Sequence, residues 1–133
     1  MTQQKLGFSH LEVGHEFPPA TYNLDSVAVS VYFKATGEAD TLYQGTGFVP
    51  PIAIAAWSLA ALQEAIDLPS GTIHLSQEVE CLGIAQQGDL ITCHAKISRK
   101  QERGKLRLMN IDFHVVDQNQ RPVLAGKSSF NLP

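Results

Sequence analysis

From Phe48 to Asp67 the chain reads FVPPIAIAAWSLAALQEAID, two prolines followed by a run of Ala, Ile, Leu and Trp with no charge before Glu64. Pro51 suits a first helical position, where the missing N–H has no intrahelical partner and φ is already helical. Ala and Leu are strong helix formers. Ile52, Ala55, Ala56, Leu59, Leu62, Gln63 and Ile66 follow helical spacing, while Ile54, Trp57 and Ala61 fill the other side. The pattern predicts a helix over 51–66 that is apolar nearly all round and therefore buried. Its prolines and polar end leave it short of the ~20 consecutive apolar residues of a membrane span.

After Gly71 the period changes. Ile73, Leu75, Val79 and Cys81 alternate with polar residues, as do Ile91, Cys93, Ala95 and Ile97, and then Met109, Ile111, Phe113 and Val115. Turn signals separate these runs at Gly88-Asp89, Glu102-Arg103-Gly104 and Asp117-Gln118-Asn119-Gln120. Leu106 and Leu108 fall out of phase, which predicts a bulge near Leu108. Pro122 to Phe130 reads as a last strand, its proline at the start, where a missing N–H is tolerated. Three or four strands joined by short turns predict an antiparallel meander.

Before the helix the pattern is weaker. His10 to Phe17 alternates over Leu11 and Val13 and predicts a short strand, with an extended loop at Pro18-Pro19. In NLDSVAVSVYFKATGE, Val27, Val29, Val31 and Phe33 alternate as in a strand, yet Val27, Val31 and Ala35 also share a helical face. Asn23, Asp25 or Ser26 is available to cap a helix there, and Gly37 to end it. Asp40 to Gly47 is polar loop. One helix and an antiparallel sheet make an α+β layer architecture. A single sheet covers one side of such a helix, so the other side is expected to meet a second subunit, making a dimer.

Composition narrows the function. The 133 residues fit one domain spanning 1–133, with 44% apolar residues for its core and 17% charged. A net charge of −3 with no basic cluster excludes a nucleic-acid footprint. Cys81 and Cys93 lack CxxC spacing and read as buried free thiols. The opening MTQQKLGF has no signal pattern, so a cytoplasmic location is expected, with no membrane partner. His10 and His15 are expected at the surface. His74, His94 and His114 stand on strands, facing away from Ile73, Cys93 and Phe113. Only His74 follows the helix closely enough to reach a site beside it. No histidine pair has helical ligand spacing, and no Gly-rich phosphate loop or Gly-x-Ser-x-Gly occurs, so neither a metal nor a cofactor is expected.

Four stretches, LEVGHEFPP, NLDSVAVSVYFKATGEADTLY, GFVPPIAIAAW and IHLSQEVECLGIAQQGDLIT, together resemble the MaoC-like (R)-specific enoyl-thioester hydratases and dehydratases of the hotdog fold. In that fold an antiparallel sheet wraps a central helix. The resemblance implies a helix within residues 23–37, followed by an active-site loop. The family's loop typically reads Gly-Asp-x-Asn-Pro-x-His, and here Gly37-Glu38-Ala39-Asp40-Thr41-Leu42-Tyr43 stands in its place. Glu38 occupies the Asp position and Tyr43 the His position, with Asp40 a second carboxylate. Histidine, near pKa 6.5, exchanges protons at neutral pH, whereas tyrosine, near 10, needs a large downward shift to act as a base. The alternative for these three residues is a solvated acidic loop with a packed tyrosine.

Active members also carry His-Gly at the start of the central helix, where this chain has Val49-Pro50. The resemblance is therefore closest to the non-catalytic half of two-part hydratases, which shapes the acyl tunnel. It implies either a homodimer or a heterodimer with a catalytic sister chain. The implied substrate is an acyl-CoA or acyl carrier protein thioester, its acyl chain expected along Phe48, Pro50, Pro51, Ile52, Ile54 and Trp57, with His74 nearby. Core packing is the alternative role for these residues. Backbone N–H groups from Ile52 to Ala55 are candidates to polarise the thioester carbonyl. Two further functions stay open: a hotdog thioesterase, which the lack of a carboxylate on the helix before Glu64 disfavours, and a non-enzymatic acyl-CoA-binding module.

Overall fold

The computed structural model describes residues 5–36 and 47–133. After a 3₁₀ turn at Phe8–His10 come strand β1 (Ala20–Asn23), helix α1 (Ser26–Thr36) and helix α2 (Pro51–Gln63). Four long strands follow: β2 (Ile73–Cys81), β3 (Leu90–Arg103), β4 (Leu106–Val116) and β5 (Pro122–Asn131). All five strands form one antiparallel sheet in the order β1-β3-β4-β5-β2. The helix α2 rests on the face carrying Cys93, Ile97, Met109, Ile111, Phe113 and Val115, the side chains that alternation places inward.

The ambiguous stretch before residue 37 is helical because its start is capped. The Asp25 carboxylate accepts the Ala28 N–H at 2.7 Å and the Asp25 carbonyl accepts the Val29 N–H at 3.1 Å. Val29 is buried, with Tyr32 and Phe33 packed against the core, while the stripe of Val27 and Val31 faces outward.

Several expectations change. The meander holds only for β3-β4-β5, because β2 pairs with β5 at the far edge and the Leu82–Asp89 segment carries the chain back across the sheet. No strand forms over His10–Phe17. That stretch runs beside β3, with the Gly14 N–H on the Ile97 carbonyl (2.8 Å) and the Phe17 N–H on Ala95 (2.9 Å). The left-handed turn at Gly14 (φ 92°) interrupts the ladder, and a true strand starts only at Ala20, beyond the two prolines that lack an N–H. The bulge lies on β3 between Ile97 and Arg99, not near Leu108, which pairs in register with Gln101. The extra residue, Ser98, donates its hydroxyl to Asp112 at 2.8 Å. Helix α2 ends at Gln63, and Ile66, although fully buried, lies in a bridge with Leu6. Cys93 is buried as expected but Cys81 is exposed, because β2 is an edge strand with little covering it.

Nor is α2 covered all round. Ala53, Ile54, Ser58 and Leu62 are buried, while Ile52 is 61% exposed and Ala56 and Ala60 are open. A helix with no polar face thus has one face on its own sheet and another free. No helix among the described residues is long and apolar enough to cross a membrane.

Candidate functional site

The start of α2 is held from below by a second piece of chain. The Val49 N–H donates to the Ala85 carbonyl (2.9 Å), the Gln87 N–H to Gly47 (2.8 Å), and Phe48 bridges Gln86. The Gly88-Asp89 turn fixes that piece in turn. The Asp89 carboxylate accepts the Gln86 N–H (2.9 Å) and the Gln118 side-chain amide (3.1 Å). Gly88 has φ 95°, a conformation that favours glycine, and its N–H donates to the Leu24 carbonyl at 2.8 Å.

Between the helix start and this segment lies a cleft of about 100 Å³, lined by Phe48, Val49, Pro51, Ile54, Gly83, Ile84, Ala85 and Val123. Of the residues expected to hold an acyl chain, Phe48, Pro51 and Ile54 meet here. Pro50 directs the chain into the helix in extended geometry (φ −59°, ψ 134°), and Ile52 projects outward beside the cleft. The carbonyl-polarising amides are fewer than expected. Ala53 and Ile54 both donate to the Pro50 carbonyl, at 3.0 and 3.4 Å, and Pro51 has no N–H. Ile52 carries the first-turn amide left to point beyond the helix end.

Trp57 lies one turn further on, outside the cleft. Its ring meets Tyr22 of β1 edge-on at 6.4 Å and Tyr32 of α1 at 6.2 Å. Beside it is a buried polar group that sequence reasoning missed. The Ser58 hydroxyl donates to the Ile54 carbonyl four residues back (2.8 Å), and its oxygen receives the Tyr22 hydroxyl at 2.8 Å. Burial pushes the Tyr22 hydroxyl up to about 12, opposed by the Ser58 hydrogen bond and reinforced by nearby Cys93. Burial also raises the Cys93 thiol, opposed by its hydrogen bond with Ser58. These groups stay protonated at neutral pH and tie sheet to helix. The available signal was Ser58 itself, the one polar residue between Pro50 and Gln63. Nothing local in the sequence marked Ile84, Ala85 or Val123.

His74 is not part of this assembly. Its ring stacks on Phe130 at 4.7 Å, in a depression shared with Gln63, Ile66 and Leu68 at the other end of α2. Glu38, Asp40 and Tyr43 lie outside the described residues. No cluster that could hold a metal ion occurs among the described residues. A larger depression, about 620 Å³, lies across the sheet away from the α2 start. It is lined by Phe17, Pro19, Val79, Ala95, Phe113 and Ala125 together with Glu16, Glu78, Glu80, Lys96, Asp112 and Lys127, with His94 stacked on His114 at 4.8 Å.

Comparisons with known proteins bear on what this geometry serves. A family model, the FAS1-like, dehydratase domain region, matches residues 12–125. Among solved structures, the unliganded R-hydratase PhaJ1 of Pseudomonas aeruginosa superposes with a TM-score of 0.81 at 18% identity, covering 98% of this chain and 88% of that one. The (R)-hydratase of A. caviae involved in PHA biosynthesis gives 0.77 at 17% identity, over 92% and 98% of the two chains. A chain of the ChsH1-ChsH2 complex of Mycobacterium tuberculosis gives 0.72 at 11% identity, over 92% and 98%. Among curated proteins no sequence matches. The sheet wrapped on a helix is the hotdog fold, as the resemblance implied.

Proposed function

The chain belongs to the family of FAS1-like dehydratase domain regions, and from that premise we propose that it serves acyl-thioester metabolism as the acyl-holding half of a hydratase or dehydratase. The observation that carries this reading is the cleft at the start of α2, whose lining among the described residues is apolar side chains and backbone. Hydration of a 2-enoyl thioester adds hydroxide from water to Cβ and a proton to Cα. A positioned acid–base group contributes about 10²–10⁴-fold to such a step. Among the described residues none lines this cleft, where Val49-Pro50 replaces the resembled family's His-Gly. The apolar surface favours holding the chain, with proton transfer supplied by a sister hotdog chain.

The open surfaces support a partner. Strand β2 is exposed along one edge, with Ile73 and Leu75 uncovered, and Leu82, Ile84 and Ile52 are exposed as well. An edge strand with free N–H and C=O groups is a template for pairing with another chain. A second copy or a sister chain seated there would also cover the free face of α2.

The experiment is hydration of crotonyl-CoA, followed through loss of the enoyl absorbance. The expected outcome is no turnover by the chain alone and turnover once a sister chain with an intact Asp and His loop is added. Turnover by the chain alone, lost in Glu38→Gln, Asp40→Asn or Tyr43→Phe, would instead assign catalysis to its own loop. A thioesterase is less well supported, since Glu64, the first carboxylate along α2, lies at the far end from the cleft. Release of free coenzyme A from acyl-CoA would revive it.

A further inference from the structure

Independently of the cleft, we propose that a second copy of this chain docks on the outer face of the sheet, the face turned away from α2, about a two-fold axis running along the strands between β4 and β5. The register that builds the sheet lines up charges across it. Glu78 on β2 stands opposite Lys127 on β5, Lys127 opposite Asp112 on β4, and Asp112 opposite Lys96 on β3. Their sequence neighbours Val79, Phe113 and Ala95 pack toward the core, so these four side chains point outward. Read from β2 to β3, the row is negative, positive, negative, positive. The next row on the same face holds Glu80, Ala125, His114 and His94 in that order. Both rows line the depression of about 620 Å³.

Such a row is complementary to its own reverse. A two-fold axis along the strands keeps each row level and reverses its order. Glu78 of one copy then faces Lys96 of the other, and Lys127 faces Asp112, each contact being made twice. In the next row the same operation sets Glu80 over His94 and the small Ala125 over the His114 ring. Sheets packed face to face lie about 10 Å apart with their strands roughly aligned, a gap that a lysine and a carboxylate can close from opposite sides. A slip of one strand would put Lys127 over Lys127 or Asp112 over Asp112, so the charges select one register. Glu16, bridged to Lys96 one strand further out, overhangs the edge of the facing copy. Among the described residues, ion pairs form at Lys100–Glu12, Arg107–Glu102 and Arg121–Asp117 and none at the four charges of the row. The edge of β2 stays open, so this contact is compatible with a chain paired there.

The test is sedimentation equilibrium of the full chain. Salt shortens the screening length from about 10 Å at 0.1 M to about 3 Å at 1 M, so the particle mass at the lower salt is expected to be about twice that at the higher. Lys96→Glu and Glu78→Lys change exposed side chains, with folding confirmed by circular dichroism. Each sets like charges face to face at two places and is expected to weaken association about tenfold. Mixing the two variants restores every opposite pairing between copies, so the mixture is expected to associate as tightly as the parent. Pairing along the β2 edge gives no such rescue, because Lys96 lies three strands away from it. A mass unmoved by salt and by both reversals, or a loss of association that mixing does not rescue, overturns the proposal.

Discussion

The two ends of the central helix rest on cores of different construction. Toward the start of α2, Leu24, Val29, Val49, Ala53, Ile54, Ala85, Cys93, Phe113, Val115 and Val123 pack around a cleft and a buried tyrosine–serine–cysteine group. Toward its end, Leu62, Ile66, Ile97, Met109, Ile111 and Phe130 join Phe8, Leu11, Phe17 and Leu132 in a second cluster. Ser58 lies at the centre of the first, and beside the second the buried Ser128, opposite Ile111, donates to the Gln77 side-chain oxygen at 2.6 Å. A sealed apolar cluster stabilises by burial and close packing. The other cluster gives up some of that packing to keep a space and an oriented helix start. Sites are held this way, on rigid elements with a packed region behind them.

Truncation gives the largest contrast. Ile111→Ala in the sealed cluster leaves a void that no solvent reaches and is expected to cost about 4 kcal/mol, against about 2 kcal/mol for Ile54→Ala, whose missing atoms merely enlarge an open cleft. Urea unfolding of the two variants measures the difference. Equal losses would mean that the cleft end is as tightly closed as the other.

A smaller effect is expected at the polar link. Tyr22→Phe removes the donor to Ser58 but leaves the Ser58 bond to the Ile54 carbonyl, so about 1 kcal/mol of stability should be lost. Because the Tyr22 ring still meets Trp57 edge-on, the fluorescence of the single tryptophan should change little. A Tyr22→Phe variant as stable as the parent would show that the hydrogen bond does not couple β1 to the helix.

Features set by neighbouring residues were legible in the sequence. The long strands follow from period-two alternation, and the turns at Gly88-Asp89 and Asp117 to Gln120 follow from turn chemistry. The Asp117 carboxylate accepts the N–H groups of Asn119 and Arg121 at 2.8 and 2.9 Å, closing its own loop. Features set by distant pairing were not legible. Nothing in Ile73–Cys81 says that its partner is β5 and not β3, since alternation marks a face and not a neighbour. Ile66 carried the helical pattern past Gln63 because it is buried, but its burial comes from Leu6 in another segment. The site divides in the same way. Phe48, Pro51 and Ile54 adjoin a helix start that the sequence announces. Gly83 to Ala85 and Val123 come from two distant segments, brought there by the crossover between β2 and β3.

The two ends also differ in what backs them on the outer face of the sheet. Behind Cys93, Phe113 and Val115 stand His94 and His114, directly opposite each other on β3 and β4 and stacked. Burial, then His94, then Lys96 holds the His114 imidazole below its ordinary value, while Lys127, Asp112, Glu78 and Glu80 share the same face. A base whose folded pKa is depressed is protonated first in the unfolded chain. Its contribution is therefore neutral above about pH 6.5, and stability falls as pH drops through that value toward the lower folded one. His114→Gln should flatten the stability profile below about pH 6.5 without changing it at pH 8. The effect should also be local: amide exchange at Cys93, Phe113 and Val115 should quicken on acidification before that at Ile97 and Ile111, whose outward neighbours Ser98 and Asp112 remain hydrogen-bonded. A uniform response along both strands would make the histidine pair irrelevant to the difference between the two ends, leaving the cleft and the Tyr22–Ser58 link as its physical basis.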